Sequence, residues 1–271
     1  MNRKASRIIF YALNFLMAAI IISPILYCFN VSMMSMKEIY AGNFWPKQVM
    51  MENYTKALQL APFFTFIKNS LIVSGTVTLG QIVTGALAAY AFSMMKFKGR
   101  NILFMVVLST MMIPSQAVII ANYLTICDWG LKNTYTALII PNVATAFAVF
   151  NLRQAFLQLP MEIKEAADID GCGNFRFFWS VAVPLVKPSM GAMGINQFLS
   201  SWNHYLWPLL ITDTVDMRTV QIGLGMLQGA ESTDFRPVMA GSMIILIPSI
   251  LAFVLGQKQL ISGLTAGSVK G

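Results

Sequence analysis

The sequence predicts an all-α polytopic membrane protein of about six transmembrane helices, with a charged helical loop between the fourth and fifth. Three observations predict this. Of the 271 residues, 56% are hydrophobic and only 11% charged, whereas a soluble domain usually carries about a quarter charged residues. The apolar residues come in long blocks, several approaching the roughly 20 residues that cross a bilayer as a helix. No lysine, arginine, aspartate or glutamate lies well inside a block.

The first block, residues 8–31, follows Arg3, Lys4 and Arg7. Basic residues before an apolar stretch also mark a secretory signal, but this block is too long and lacks a clean small-residue cleavage site. It is read as a retained span. Residues 32–68, with Trp45, Pro46 and Tyr54, read as an extramembrane loop containing short helical pieces. Further spans are expected at about 69–95, 102–125, 134–154, 189–211 and 237–256. The loop 160–184 interrupts the rhythm and a tail, 258–271, follows the last span. The whole chain, 1–271, reads as one transmembrane domain.

Six spans put both ends on one side. That side would hold the N-terminus, 96–101, 153–188 and the C-terminus. Its basic residues include Arg3, Lys4, Arg7, Lys96, Lys98, Arg100, Arg153, Lys164, Arg176, Lys187, Lys258 and Lys270, against Glu162, Glu165, Asp168 and Asp170. The whole formal excess of +8 falls there; the opposite segments balance. Lys and Arg near span ends are retained in the cytoplasm, so both termini are expected to be cytoplasmic. Topology and anionic lipid account for the charge, and nucleic acid is not needed as a partner.

Cys28, Cys127 and Cys172 are scattered without paired spacing, which suggests neither a disulfide framework nor a metal site. No nucleophile–base or metal-ligand constellation is visible, so no catalytic residue is assigned and an enzyme is not expected. A proton- or ion-coupled carrier usually keeps an ionisable group at depth. The sole histidine, His204, is the exception, and among Trp202, Tyr205 and Trp207 it is read as a packing or interfacial residue. The spans do carry uncharged polar groups: Thr76, Thr78, Gln81 and Thr84; Ser115, Gln116 and Asn122; Asn142 and Asn151; Asn196, Gln197 and Asn203. Such groups hydrogen-bond a neutral polyhydroxyl solute without burying a charge. They equally serve as glue between helices, and residue types alone leave both roles open. Gly75, Gly80 and Gly85 allow close packing, and Pro114 and Pro141 allow kinks.

The loop 160–184 is the most informative segment. Pro160 suits a first helical turn, and Glu162 lies near the positive end of that helix. Glu165 and Asp168 follow at three-residue intervals, while Ala166 and Ala167 keep the helix slim. Asp170-Gly171 signals a turn, and a second short helix rich in Phe175, Phe177, Phe178 and Trp179 is expected to run to Pro184. A small acidic helix–turn–helix suits docking into a groove of another protein; the alternative, an amphipathic helix on lipid, is disfavoured by its acids.

This segment, Glu165-Ala166-Ala167-x-x-x-Gly171, nine residues, then Val181-x-Val183-Pro184, resembles the EAA loop of binding-protein-dependent ABC importer permeases. Valines stand where the family has isoleucine and leucine. Three more stretches resemble its carbohydrate branch, in the maltose-type second permease subunit: Gly130-Leu131-x-Asn133-Thr134-Tyr135, Trp202-Asn203-x-x-Leu206-Trp207-Pro208-Leu209, and Gly263-Leu264-Thr265-Ala266-Gly267-Ser268-Val269-Lys270-Gly271. The resemblance runs from about Trp45 to the terminus.

The resemblance implies a permease subunit that forms, with a second permease, the path for a mono- or oligosaccharide delivered by an extracytoplasmic solute-binding protein. It implies a cell-membrane location and an ATPase dimer as further partner. Glu165, Ala166, Ala167, Asp170, Gly171 and Pro184 would dock on that ATPase, and Gly263, Thr265, Gly267, Lys270 and Gly271 would insert, extended, between its subunits. The chain has no G-x-x-x-x-G-K-[ST] loop. ATP and Mg²⁺ are therefore expected on the partner, with no cofactor bound here. Asn196, Gln197, Trp202, Asn203 and Tyr205 are the expected path residues. The rival solute is glycerol 3-phosphate or a related phosphoester, which would want Arg or Lys facing the path.

Overall fold

The computed structural model describes residues 3–230 and 234–265. Its regular elements are helical. α1 (Arg3–Ser32) is followed by the short α2 (Met36–Tyr40) and α3 (Glu52–Leu60), then by the 32-residue α4 (Phe63–Met94). Among the described residues three helices are long and apolar enough to cross a membrane: Arg7–Ser32, Phe63–Met94 and Phe235–Lys258.

Prolines reshape the next two expected spans. Residues 102–125 do not form one continuous helix. α5 (Arg100–Ser109) passes through a 3-10 turn to Met112, and α6 (Ser115–Asp128) leaves at 96°. Ile113, before Pro114, is extended, because the proline ring disfavours helical backbone in the residue ahead of it. Residues 134–154 likewise divide into α7 (Tyr135–Ile139), a 3-10 turn Ile140–Asn142 containing Pro141, and α8 (Ala146–Leu157), bent by 49°. Counting each bent pair as one span raises the number of candidate spans to five.

α9 (Met161–Ile169) and the short α10 (Asn174–Phe177) follow. A π-helical turn, Phe178–Ala182, then leads without a break into α11 (Val183–Trp202). The second loop helix therefore does not stop at Pro184, and α11 begins before the expected 189. Pro184 has no N–H for the carbonyl four residues back, and a wider turn absorbs that mismatch. α11 ends at Trp202, short of 211; α12 (Leu206–Ile211) is separate. α13 (Val220–Ala230) and α14 (Phe235–Thr265) complete the described elements. Gly263 and Thr265 are thus helical where an extended insert was expected; Gly267, Lys270 and Gly271 lie outside the described residues.

The chain divides into two compact units, Met1–Phe64 with Gly223–Ile247, and Thr65–Ile222 with Pro248–Gly271. In the first, polar groups fix the segment after α1. Asn53 donates to the carbonyls of Ser32 and Met34 at 2.9 and 3.0 Å. Glu38 closes a capping box, accepting from the Ser35 N–H and hydroxyl and from the Lys47 N–H, each at 2.8 Å. Those donors hold its carboxyl at about 2. Asp234 takes a two-pronged grip from Arg236 at 2.8 Å on each oxygen, with Lys56 at 3.4 Å.

In the second unit, α4 packs against the break between α7 and α8 and against α11. Small residues make the approach possible. A Cβ at Gly80 would stand 3.0 Å from the Val143 Cβ, and one at Gly85 2.9 Å from the Ala148 Cβ. On the α11 side, Gly194 leaves room for Ile82. Further along α4, Tyr90 lies in a buried cluster with Phe156, Phe177 and Phe178, linking α4, α8 and the α10–α11 run.

Candidate functional site

Two features of the second unit carry chemistry. The first is the turn between α9 and α10. The Cys172 N–H donates to Ala167 O at 2.8 Å and the Gly171 N–H to Asp168 O at 3.1 Å. This is a Schellman cap, which closes the helix end on its own carbonyls. Gly171 sits at φ +70° with open space around the position of a Cβ. The glycine is therefore demanded by backbone conformation and not by crowding.

Glu165, Ala166, Asp170, Gly171 and Pro184 are exposed and Ala167 is half-buried. Lys164, in contrast, is buried, pairing with Asp168 and lying 5.2 Å from the Phe177 ring centre. With its one basic residue folded back, the α9 surface around Glu165 is acidic and free for a partner. The turn is also anchored. The Tyr90 hydroxyl donates to Asn174 O at 3.2 Å, and the aromatic cluster seats α10 against α4 and α8.

The second feature is a cleft of about 310 Å³. One wall is α4, with Val77 and Gln81; a second is the α7–α8 break, with Asn142, Thr145 and Phe147; a third is α11. From α11 come Asn196, Gln197, Ser200 and Ser201, and His204 follows just beyond its end. On a 100° helical wheel these α11 residues fill one arc of about 140°. Among the described residues, no carboxylate, ammonium or guanidinium lines the cleft.

The break supplies the cleft's geometry. Irregular backbone at membrane depth is tolerated where it lines a cavity and its freed carbonyls find donors. Here α4 provides them. Gln81 Nε2 donates to Asn142 O at 2.6 Å, and the Thr84 hydroxyl to Val143 O at 2.9 Å. Thr84 is thus glue between helices. Gln81 is glue through its amide nitrogen only, since its Oε1 is buried and has no partner among the described residues. A second, much smaller cavity of about 10 Å³ adjoins, sharing Asn142, Ser201 and His204 and adding Ser70, Thr219 and Trp207.

The expected path residues divide. Asn196 and Gln197 line the cleft; Trp202, Asn203 and Tyr205 do not. Trp202 is buried on the opposite side of α11, stacked on Phe198 at 5.8 Å. Asn203 turns back to Leu199 O at 2.9 Å and accepts from Gln221 at 3.1 Å. Tyr205 is half-exposed beyond the helix end. Sequence reasoning missed Ser200 and Ser201 and read His204, which lines the cleft, as a packing or interfacial residue, although their i+4 and i+8 spacing from Asn196 and Gln197 was visible in the chain. It also missed Thr145 and the pairing of Gln81 with Asn142.

The motif residues near α12 are structural. The Trp207 indole N–H donates to Ala137 O at 3.1 Å in a buried setting. Asn133, at φ +62°, caps the 213–214 segment by accepting the N–H groups of Asp213 and Thr214 at 3.0 and 3.2 Å.

Residues 81–260 match the family described as the binding-protein-dependent transport system inner membrane component. The arabinooligosaccharides transport system permease protein AraQ of Halalkalibacterium halodurans is 34% identical over the full length of both chains. The sn-glycerol-3-phosphate transport system permease protein UgpE of Escherichia coli is 32% identical over 97% of each. A chain of a bacterial ABC transporter that imports the acidic polysaccharide alginate superposes with a TM-score of 0.79, covering 95% of this chain and 98% of that one at 23% identity. That last likeness is one of fold.

Proposed function

Because the chain belongs to the binding-protein-dependent transport system inner membrane component family, as a multi-pass ABC importer permease, we propose that it passes a neutral mono- or oligosaccharide. The observation that carries this reading is the cleft. Its amides, hydroxyls and single imidazole offer donors and acceptors without a fixed charge, which is the chemistry a polyol needs. A phosphoester would call for Arg or Lys at the path, and the cleft offers neither. Similarity to UgpE keeps glycerol 3-phosphate as the competing solute.

In this proposal a solute-binding protein and a second permease complete the path, and both termini are cytoplasmic. Partner ATPase subunits bind ATP and Mg²⁺ and receive the α9–α10 turn. Glu165 pairs with a basic group there, Asp170 and Gly171 hold the turn, and Ala166, Ala167 and Pro184 shape the docked surface. The tail, Gly263 to Gly271, contacts the same subunits. Asn196 and Gln197 line the path.

The connection between turn and cleft is physical. From Asn174 to Trp202 the chain is one helical run, so a push on the turn reaches Asn196 without crossing a loop. Seated against α4 and α8 by aromatic rings, that run suits rigid-body rocking of one half against another.

The test is uptake into proteoliposomes holding the complete importer and its binding protein, with labelled arabinotriose, maltose and glycerol 3-phosphate in competition. Uptake of a neutral sugar, undiminished by glycerol 3-phosphate, is expected. Uptake of the phosphoester alone would overturn the sugar assignment.

A further inference from the structure

Resting on that reading, we infer that the cleft is a hydroxyl-reading subsite for one sugar ring, with Gln81 its specificity-determining residue. Gln81 is only 6% exposed, yet it forms part of the cleft wall. The amide orientation is fixed by chemistry. Asn142 O accepts and cannot donate, so the Gln81 NH₂ must face it at 2.6 Å. The carboxamide oxygen is left as an acceptor with no donor among the described residues.

A buried acceptor without a donor is costly, and native structures seldom keep one without a reason. The other α4 side chain at this break, Thr84, has no such deficit, because its hydroxyl bridges Gly80 O and Val143 O. What Gln81 lacks is a donor, which a sugar hydroxyl supplies and the phosphate or carboxylate group of a charged solute does not. Across the cleft, the Asn196 and Gln197 side chains make no hydrogen bond among the described residues. A ring between these walls lies against the Gln81 carboxamide on one side, whose shielded oxygen a small side-chain turn would open to it, and against amides that both donate and accept on the other. Each hydroxyl can then both give and take a bond.

Size agrees with one ring. At about 310 Å³ the cleft lies at the small end of ligand sites, which run from roughly 300 to 1,000 Å³. An oligosaccharide would pass one unit at a time. A discontinuous helix at the cleft wall fits the same use, since broken helices in transporters mark where backbone and solute meet.

The experiment measures binding to the complete importer in nanodiscs without binding protein, by saturation-transfer NMR with L-arabinose and D-glucose and their monodeoxy forms. Wild type should bind at least one parent sugar, and loss of one particular hydroxyl should weaken binding about tenfold, the equivalent of one hydrogen bond. Gln81→Met should bind the parent sugar as weakly as wild type binds that deoxy form, and should no longer distinguish the two. A merely structural role for Gln81 would weaken both sugars alike and leave the discrimination in place. Asn196→Ala, which breaks no internal bond, should weaken binding with the fold intact.

Retained discrimination in Gln81→Met, unchanged binding in Asn196→Ala, or no binding of either sugar by wild type would each overturn the subsite. Failure of the function reading looks different: sugar would bind in the nanodiscs, yet the proteoliposomes would import none.

Discussion

The two ends of the helical run from Asn174 to Trp202 are built on opposite principles. At the turn end the last carbonyls of α9 are closed internally: the Schellman bonds of Gly171 and Cys172 and the inward pairing of Lys164 leave a finished, exposed, acidic shape. At the cleft end the polar groups are left open, with Gln81 Oε1 unpartnered and Asn196 and Gln197 unengaged. A surface that receives force from another protein must hold its geometry before contact. A surface that handles a passing solute must keep bonding capacity to spare. The contrast teaches which substitutions should be mechanical and which chemical.

The largest effect should come at the turn. Glu165→Lys would place like charge against the basic group proposed on the ATPase, and Gly171→Leu would force a branched side chain into φ +70°. Both should lower uptake more than tenfold and uncouple ATP hydrolysis from the loaded binding protein. Melting in detergent should stay near wild type for Glu165→Lys, because that side chain is exposed. Wild-type coupling in both variants would break the comparison at its mechanical end.

These two ends also differ in how far the sequence exposed them. The turn was legible because its determinants are contiguous: Pro160, the acidic spacing, Ala166-Ala167 and Asp170-Gly171 all act within a dozen residues. Its continuity with α11 was not, since Pro184 read as the end of the second short helix, and only packing reveals that a π turn carries the helix through. The cleft draws one wall each from residues near 81, 142 and 196. No local pattern says that Gly80 and Gly85 let α4 close on the break near Val143 and Ala148. The aromatic residues around Asn203 drew attention that helical phase would have moved to Ser200 and Ser201.

An intermediate effect should come from the packing that sets the cleft's width. In Gly85→Leu a Cβ alone would lie 2.9 Å from the Ala148 Cβ and 3.2 Å from its carbonyl carbon, so the backbones must part. The expected cost is about 1–3 kcal/mol of stability, read as a lower melting temperature, with a fall in uptake and no change in ATPase docking. A variant with normal melting and normal uptake would mean that the close approach at the break is dispensable.

A smaller loss belongs to the bond that ties α12 to α7. Trp207→Phe keeps most of the buried ring and removes only the N–H that reaches Ala137 O at 3.1 Å. About 1 kcal/mol is expected, visible in melting but not in solute selectivity, because Trp207 lies off the main cleft. A change in which sugars are imported would instead draw Trp207 into the chemical end of the comparison.

The smallest effect concerns acid, and it separates the fold's charges from the cleft, which carries no carboxylate. Asp234 is held at about 2, below its ordinary 3.8, first by the side-chain bonds of Arg236, helped by its N–H and by Lys56. A carboxyl with a depressed folded-state value contributes stability that is fully present above its unfolded value, near 3.9. That stability is lost as pH falls through the folded value. Melting temperature should therefore be level from neutral pH to about 5 and decline between about pH 4 and 2. Asp234→Asn should melt lower at neutral pH, because it gives up the charge between Lys56 and Arg236, and should then lose less on acidification. The two curves should converge toward pH 2, where the wild-type carboxyl is itself protonating. Parallel curves would assign the acid loss to other carboxylates, among them Glu38, whose value is also about 2. Glu38→Gln in the same titration would identify that contribution.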